Sequence, residues 1–166
     1  QIRDLAADNI ADIAAFIPGL DVSAGSPTQP KYSIRGVQTS DFGVGTDPAV
    51  GVYIDGVYSG RSGAAVLEFN DIERVEILKG PQGTLFGRNA AAGAVSIVTK
   101  KPSDEFEASL YARGGNYGKW KTEALVNFPL GDDFAVRVNA LANYRHGLYE
   151  DAATGADLSR ERNWAA

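Results

Sequence analysis

The sequence predicts two structural parts, an α/β domain over residues 1–102 and a run of antiparallel β-strands over residues 103–166. Before Pro102, short alternating segments are separated by glycine, proline and short helical stretches, which is typical of a mixed α/β fold. After Pro102, segments of roughly ten residues alternate between apolar and polar side chains and are joined by turn sequences. We therefore expect two domains of different architecture.

The composition indicates a folded protein and excludes several kinds of chemistry. Of 166 residues, 44% are hydrophobic and 22% are charged, which suits a packed core. The net charge of −5, without a basic stripe, argues against nucleic acid as a partner. The absence of Cys excludes disulfides and thiolate metal sites. The single histidine, His146, cannot build a histidine metal site, and we expect it to be a solvated loop residue.

The first predicted element is a helix over residues 2–17. Apolar residues recur there at steps of three and four, and Pro18 and Gly19 end the pattern. Aspartates recur every four residues on another face, which we interpret as a solvated surface rather than a metal site: Asp4, Asp8 and Asp12.

The next elements are predicted as a loop over residues 20–30 and a strand over residues 31–37. Residues 50–58 then have the pattern of a β-hairpin, with branched residues that alternate and a short return strand. Asp55 and Gly56 occupy the turn, where a primed turn requires residues that tolerate positive φ.

The segment 72–102 is rich in glycine and raises the possibility of a phosphate-binding loop. We predict strands over residues 74–80 and 94–100, with a short helix or irregular stretch over residues 83–93. A phosphate loop requires Lys followed by Ser or Thr after its last glycine, whereas Arg88 and Asn89 follow Gly87. The dinucleotide fingerprint is absent as well.

Acidic and basic side chains are interleaved on the strand that follows residue 71. Glu73 and Glu76 lie close to Arg74 in sequence, and Arg74 and Glu76 share one face of a strand. A pair of catalytic carboxylates is conceivable. Ion pairing is the interpretation that the alternating charges favour.

Three amphipathic strands are predicted over residues 106–114, 120–128 and 134–145. One face of them is apolar, with aromatic residues near the ends at Trp120, Phe128, Phe134 and Tyr144. This pattern is typical of a transmembrane β-barrel. An antiparallel sheet of a soluble protein, with one face on a core, remains the alternative at this point.

The connections between these strands differ in length. Residues 129–133 form a short turn, and residues 146–163 form a long polar loop, after which Trp164 begins a fourth strand. In an outer-membrane barrel, the short turn is periplasmic and the long loop is extracellular.

Three segments carry a resemblance to a known family: "YSIRGV" (32–37), "GVYIDGVYSG" (51–60) and "DIERVEILKGPQGTLFGRNAAAGAVSIVTKKP" (71–102). In this order and spacing they resemble the plug domain of TonB-dependent outer-membrane receptors. The strands after them resemble the first barrel strands of those receptors, so the resemblance covers essentially the whole chain.

The resemblance implies a plug with a mixed four-stranded sheet and short helices, inside a 22-stranded barrel in the outer membrane of a Gram-negative bacterium. It implies import of a scarce nutrient, most often a ferric siderophore, energised by the TonB–ExbB–ExbD complex. That complex would act through an N-terminal box that we expect to lie before residue 1. No catalytic residue, cofactor or resident metal is implied.

The resemblance also assigns roles to side chains. It implies polar contacts between plug and barrel at Arg35, Glu76, Lys79 and Arg88, and many family members have Arg at the position of Lys79. Structural glycines are implied at Gly36, Gly56, Gly80, Gly87 and Gly93. Substrate-facing apical loops would present Phe42, Asp47, Tyr58 and Arg61.

Two other functions remain open from the residues alone. One is a soluble periplasmic α/β module that binds a ligand without transport. The other is an enzyme that uses Glu73, Glu76 and Arg88, for which the sequence suggests no substrate.

Overall fold

The structure is a computed structural model that describes residues 7–23, 30–39, 46–60, 71–131, 134–147, 149, 151, 152, 154, 157 and 160–165. Asp4, Phe42 and Arg61, to which the sequence assigned roles, lie outside these residues. The chain forms two compact units, which we call the first unit (Gln1–Lys100) and the second unit (Lys101–Ala166).

The described part of the first unit contains two short helices and seven strands. These are α1 (Ile10–Ala14), β1 (Leu20–Ser23), β2 (Lys31–Ile34), β3 (Val37–Gln38), β4 (Val50–Ile54), β5 (Val57–Tyr58), β6 (Ile72–Lys79), α2 (Gly83–Phe86) and β7 (Gly93–Thr99). An antiparallel sheet has the order β1-β2-β3, and a second sheet has the order β5-β4-β7-β6. In the second sheet β4 and β7 are parallel while the other pairs are antiparallel. The predicted mixed four-stranded sheet with short helices is confirmed.

Helix α1 is shorter than the sequence predicts. It begins at Ile10 because the Asn9 side chain accepts hydrogen bonds from the N–H groups of Ala11 and Asp12. The Asp12 carboxylate accepts in return from the Asn9 N–H, at 3.2 Å, which completes a capping box. The prediction of a helix over residues 2–17 is therefore wrong at residues 7–9 and 15–17, and its first residues, 2–6, lie outside the described residues. Asp12 is exposed, as the sequence predicts, and also caps the start of the helix, whereas Asp8 is buried, so the prediction of a solvated face is wrong at Asp8.

Two tight turns in the first unit have the same backbone geometry. The predicted hairpin turn at Asp55 and Gly56 is confirmed, with φ of 49° and 81°. Arg35 and Gly36 form a second such turn between β2 and β3, with φ of 53° and 79°. Positive φ at both central residues matches the right-handed twist of the flanking strands.

Two predictions for residues 20–37 are wrong for related reasons. The strand predicted over residues 31–37 is a hairpin, because the chain reverses at Arg35 and Gly36. The loop predicted over residues 20–30 begins as a strand, because β1 pairs with β2 from Leu20 to Ser23. Leu20 is buried opposite Ile34, so this pairing contributes to the core.

The core of the first unit packs α1 and the β1-β2 hairpin against the apolar residues of β4 and β7. Ile10, Ile34 and Val95 are almost completely buried in it. Gly93, at the start of β7, lies against Ile34: a Cβ there would approach the Ile34 Cδ1 to 2.7 Å and overlap the Leu78 carbonyl oxygen. Only glycine fits this position without a shift of the main chain.

The second unit contains one antiparallel sheet with strands in sequence order. Its strands are β8 (Glu107–Gly114), β9 (Trp120–Pro129), β10 (Ala135–Arg145) and β11 (Glu161–Ala165). The three predicted antiparallel strands are confirmed. The fourth begins at Glu161, so Trp164 lies within it rather than at its start.

The two faces of this sheet differ in an unusual way. Large apolar side chains are exposed on one face, among them Leu110 (77%), Phe128 (50%) and Val138 (58%). Lys121 and Asn127, on the other face, are buried. In a water-soluble sheet the apolar face would be the covered one, so the distribution of burial is the reverse of that expectation.

Candidate functional site

A cluster of aromatic and polar side chains lies at one edge of the four-stranded sheet. Because β4 and β7 are parallel and pair from Val50 and Gly93, the residues before both strands lie at the same edge. We call this group the tyrosine–arginine cluster, and its members are Asp47, Tyr53, Tyr58, Phe86, Arg88 and Asn89.

An ion pair closes the exposed side of the cluster. The Arg88 Nε lies 3.3 Å from the Asp47 Oδ2. The Arg88 side chain is 84% exposed, so its remaining N–H groups face solvent and can donate hydrogen bonds to an anionic or polar ligand. The pair itself contributes little to stability because water screens it.

Tyr53 is the buried part of the cluster. Its hydroxyl donates to the Phe86 carbonyl oxygen at 2.5 Å, and the two rings meet edge to face with centroids 4.7 Å apart. The Tyr53 ring reaches Phe86 by lying over Gly51, where a Cβ would approach the ring to 2.7 Å. Gly51 therefore sets the direction of Tyr53.

Tyr58 joins the aromatic and the charged parts of the cluster. Its ring centroid is 5.5 Å from that of Tyr53, on the neighbouring strand. Burial raises the pKa of Tyr58, and the nearby Asp47 and Tyr53 add to this, whereas a hydrogen bond from Asn89 and the charge of Arg88 lower it. The phenol remains protonated at neutral pH and can donate a hydrogen bond.

Asn89 is left with an unused acceptor. Its Oδ1 is buried and has no hydrogen-bond partner among the described residues. A buried carbonyl oxygen without a donor is costly and is expected to find one, from water or a ligand. The cluster thus offers an exposed guanidinium, a phenol and an open acceptor beside aromatic rings.

The structure brings together residues to which the sequence gave separate roles. Asp47 and Tyr58 were assigned to substrate-facing loops and Arg88 to contacts with a barrel, yet all three belong to one cluster. The sequence missed Tyr53 and Asn89. The spacing of Gly51 and Tyr53 on one face of a strand is the signal that could have revealed the first.

Glu76 and Arg35 lie apart from this cluster. Glu76 pairs with Arg74 on β6, with the Arg74 Nε 2.7 Å from its Oε1. A second pair joins Arg74 to Glu73 at 2.8 Å, so the predicted ion pairing is confirmed. The two carboxylates, Glu76 first, raise the pKa of Arg74. Arg35 lies in the β2–β3 turn, where its main-chain N–H donates to the Gly19 carbonyl oxygen at 2.7 Å.

Lys79 also has a partner within the first unit. Its Nζ donates to the Pro18 carbonyl oxygen at 2.6 Å.

The five glycines named from the sequence all have positive φ, with values of 79°, 81°, 99°, 75° and 154° for Gly36, Gly56, Gly80, Gly87 and Gly93.

His146 is exposed, as the sequence predicts, but it has defined contacts. The main-chain N–H of His146 donates to the Tyr117 carbonyl oxygen at 3.0 Å, and the His146 ring meets that of Tyr144 edge to face. The ring also lies over Gly118, where a Cβ would come within 2.9 Å of the His146 Nε2. These contacts join the start of the long loop to the β8–β9 turn.

The buried face of the second unit carries paired charges. The Lys121 Nζ lies 2.9 Å from the Glu123 Oε1, and the Arg137 Nη1 lies 2.9 Å from the Glu107 Oε2. The side chains of Lys121 and Arg137 are 4% and 5% exposed. Buried charges of this kind are tolerated because each has a partner of opposite sign.

Two features are absent from the described residues. None of their helices is long and apolar enough to cross a membrane. Within the described ranges, His, Asp and Glu side chains form no group of three or more that could hold a metal ion.

The first unit is thus a small α/β domain with a polar and aromatic cluster at one sheet edge, and comparison with known proteins identifies its family. Residues 1–94 match the family described as "TonB-dependent Receptor Plug Domain". The chain belongs to this family.

Two curated proteins and a solved structure extend the similarity beyond the family match. The pesticin receptor of Yersinia enterocolitica is 31% identical over 144 residues, which is 85% of this chain and 21% of that protein. The ferripyoverdine receptor of Pseudomonas aeruginosa is 29% identical over 145 residues, which is 87% of this chain and 17% of that protein.

The solved structure is that of the ferric yersiniabactin uptake receptor FyuA from Yersinia pestis. It aligns with a TM-score of 0.89 and 28% identity, over 98% of this chain and 26% of that one. The chain therefore spans about a fifth of the length of the curated relatives it matches.

Proposed function

We propose that this chain is part of an outer-membrane receptor that imports a ferric siderophore, energised by the TonB–ExbB–ExbD complex, and that it has no enzymatic activity. Residues 1–102 would be the plug, and residues 103–166 would be the first strands of a 22-stranded barrel. The predicted transport uses binding and conformational change rather than bond-making.

One observation carries this proposal: a plug-family domain is followed directly by a sheet whose apolar face is exposed and whose charged face is buried. Outer-membrane barrel strands have this alternation because lipid covers the outside while the lumen is polar. A soluble periplasmic module would cover Phe128 and Val138 with a protein core, yet they are half exposed or more.

The names of the relatives support the class of substrate. Ferripyoverdine and ferric yersiniabactin, named for two of the relatives, are both iron chelates. We propose that a ferric chelate reaches Asp47 and Tyr58, together with Phe42 and Arg61 from the same predicted loops. The hydroxyl of Tyr58 is a donor that suits the oxygen-rich surface of such a chelate.

We also propose that Arg35, Glu76, Lys79 and Arg88 present charges to the barrel in the whole receptor. Each such charge would lose water inside the lumen. Glu76 and Arg88 already have partners of opposite sign in Arg74 and Asp47, and groups on the barrel would offset the remaining cost. Contacts of this kind can be broken and remade, which a plug that moves during transport requires.

The test is uptake of iron by the organism that carries the gene. We expect a deletion strain to lose growth on one or more ferric siderophores under iron limitation, and a plasmid copy of the gene to restore it. Uptake of radioactive iron by the restored strain should stop when a protonophore collapses the proton gradient. Normal uptake in the deletion strain on every siderophore of a broad panel would overturn the proposal.

A second experiment distinguishes a sheet that contacts lipid from the sheet of a soluble periplasmic module. The full-length receptor is placed in vesicles of brominated lipid, which quench the fluorescence of indole rings that touch acyl chains. We expect Trp120→Phe to reduce the quenched fraction, because Trp120 is 46% exposed on the apolar face. An unchanged quenched fraction would favour the soluble module.

A further inference from the structure

Asn127 has an unusual set of contacts in the second unit. It lies on β9, opposite Glu107 of β8 and Arg137 of β10, and it is 0% exposed. The ion pair between Arg137 and Glu107 joins the two strands on either side of Asn127 and so lies across it on the same face. A neutral amide buried at this depth must satisfy its hydrogen-bonding groups within the protein.

All of the polar atoms of the Asn127 side chain bond to one short segment. Its Oδ1 accepts from the Ser103 N–H at 3.1 Å. Its Nδ2 donates to the Ser103 carbonyl oxygen at 2.9 Å and to the Glu105 carbonyl oxygen at 2.6 Å, and the Ser103 Oγ lies 3.2 Å away. Two main-chain carbonyls and one main-chain N–H are thus held by a single side chain.

The segment so held, residues 101–106, begins the second unit and connects β7 to β8. It follows the first unit and leads into β8, and within it the described residues form no strand. β8 starts at Glu107, opposite Asn127, so the amide binds the chain just before strand pairing begins. The side chain thereby satisfies main-chain groups of a segment that is not in a strand.

A second contact holds the same segment from the opposite face. The ring of Phe106 packs against the ring of Phe128, with centroids 5.2 Å apart. Phe128 is the neighbour of Asn127 in sequence, so its side chain points to the other side of the sheet. The connection is therefore held on the polar face by an amide and on the apolar face by an aromatic pair.

We propose that Asn127 is an anchor that fixes the 101–106 connection to the first hairpin of the second unit, so that force applied to the first unit does not propagate into β8. The mechanical part of this inference rests on the proposed function, in which an energised complex pulls on the plug. The anchor lets the first unit be rearranged while the sheet that follows it stays intact.

The first test is hydrogen exchange in the full-length receptor in detergent. In Asn127→Ala the peptide that covers residues 101–106 should exchange about tenfold faster or more. The Ser103 N–H loses its acceptor, and the carbonyls of Ser103 and Glu105 lose the Asn127 Nδ2 as their donor. Ser103→Ala is the matched control: it removes the longest of the four contacts with Asn127 and a long hydrogen bond, 3.4 Å, from the Ser103 Oγ to the Glu105 carbonyl oxygen, and we expect less than about a threefold change.

Asn127→Asp separates anchoring from simple filling of space. The carboxylate has nearly the same shape and can still accept from the Ser103 N–H, but it cannot donate to the carbonyls of Ser103 and Glu105, so exchange should be faster than in the parent and at most as fast as in Asn127→Ala. If Asn127→Asp exchanges like the parent, the anchor is overturned. If Asn127→Ala does not assemble, Asn127→Ser replaces it under the same criteria.

The second test applies force to the receptor in a membrane, from a handle at residue 7. In the parent, unfolding of the first unit should stop after release of about 35 nm of chain, the contour length of the residues that precede the anchor. In Asn127→Ala the next step, the peeling of β8, should follow at lower force. Equal forces for this step in both proteins would overturn the anchor.

These outcomes are independent of the transport assays. If no siderophore is imported but Asn127→Ala accelerates exchange and lowers the force, the anchor stands and the proposed function fails. If iron is imported and neither measurement changes, the proposed function stands and the anchor fails.

Discussion

The Nζ of Lys79 donates a hydrogen bond to the main-chain carbonyl oxygen of Pro18, 2.6 Å away and 61 positions earlier in the sequence. Pro18 lies between α1 and β1, and Lys79 ends β6, so the bond joins the N-terminal segment to the four-stranded sheet. A single carbonyl oxygen needs one donor rather than a planar fork. Lysine is suited to this partner as well as arginine would be.

We predict that Lys79→Met frees the segment around Pro18. Loss of one partly exposed, charge-assisted hydrogen bond should cost about 0.5–1 kcal/mol, so amides of residues 16–20 should exchange roughly two- to fivefold faster. Lys79→Arg should keep the parent rate because it keeps a donor. Lys101→Met, a change at an exposed lysine of the second unit, is the control. Equal rates in Lys79→Met and the parent would contradict the prediction.

Gly93 and Gly36 provide a matched pair of glycine substitutions. Both have positive φ, but a Cβ at Gly93 would overlap the Leu78 carbonyl oxygen, whereas a Cβ at Gly36 meets nothing within 4 Å. We expect Gly36→Ala to cost about 1–2 kcal/mol from backbone strain alone. Gly93→Ala should cost at least about 3 kcal/mol, because the main chain of β6 or β7 must also shift.

The measurement is hydrogen exchange in the full-length receptor, of the β6 and β7 amides for Gly93→Ala and of the β2 and β3 amides for Gly36→Ala, which gives the free energy of local opening around each glycine. Gly93→Ala should lower this free energy far more than Gly36→Ala. Similar losses for the two variants would show that overlap at Gly93 is relieved without cost.

The sequence was sufficient where one residue pair determines a local geometry. Asp55 and Gly56 predicted their hairpin because few other pairs adopt positive φ twice. Arg35 and Gly36 form the same turn, but Arg is not favoured there, so the alternating pattern through them predicts a single strand. Alternation in the second unit gave strand identity and faces correctly, because its period does not depend on distant contacts.

The candidate site could be predicted only in part, since it depends on contacts between remote residues. The sequence named Asp47, Tyr58 and Arg88 without indicating that they meet. Their proximity follows from the parallel pairing of β4 with β7, which no local pattern encodes. The partners of Asn127 are equally hidden from the sequence. Alternation places Asn127 on the polar face but cannot show that it binds the segment with Ser103 and Glu105.

Tyr32 should make the first unit sensitive to alkali. Burial raises the pKa of its phenol well above the ordinary value of 10, so the folded state prefers the protonated form. The stabilising effect is complete below pH 10 and is lost as the pH rises towards the folded-state pKa, because the unfolded chain releases the proton first. The loss can reach about 1.4 kcal/mol per pH unit above pH 10.

We expect Tyr32→Phe to show a shallower loss of unfolding free energy than the parent between pH 10 and pH 11.5, in urea titrations at fixed pH. Tyr117→Phe, at an exposed tyrosine in the β8–β9 turn, is the control and should retain the parent slope. The same slope in Tyr32→Phe and the parent would show that Tyr32 ionises freely in the folded protein.

Val138 tests the lipid-facing role of the exposed apolar face. It lies on β10 opposite Val126 and is 58% exposed, so an arginine there needs no space in a protein core. In water, Val138→Arg should therefore change stability by less than about 0.5 kcal/mol. If the face contacts acyl chains near the bilayer midplane, the same change should cost about 2–4 kcal/mol, because the guanidinium loses its hydration.

The measurement is the fraction of full-length receptor that assembles in the outer membrane, scored by its resistance to unfolding in cold SDS. Val138→Thr, which keeps the branched shape without a charge, should assemble like the parent. A fully assembled Val138→Arg receptor would indicate that water rather than lipid covers this face.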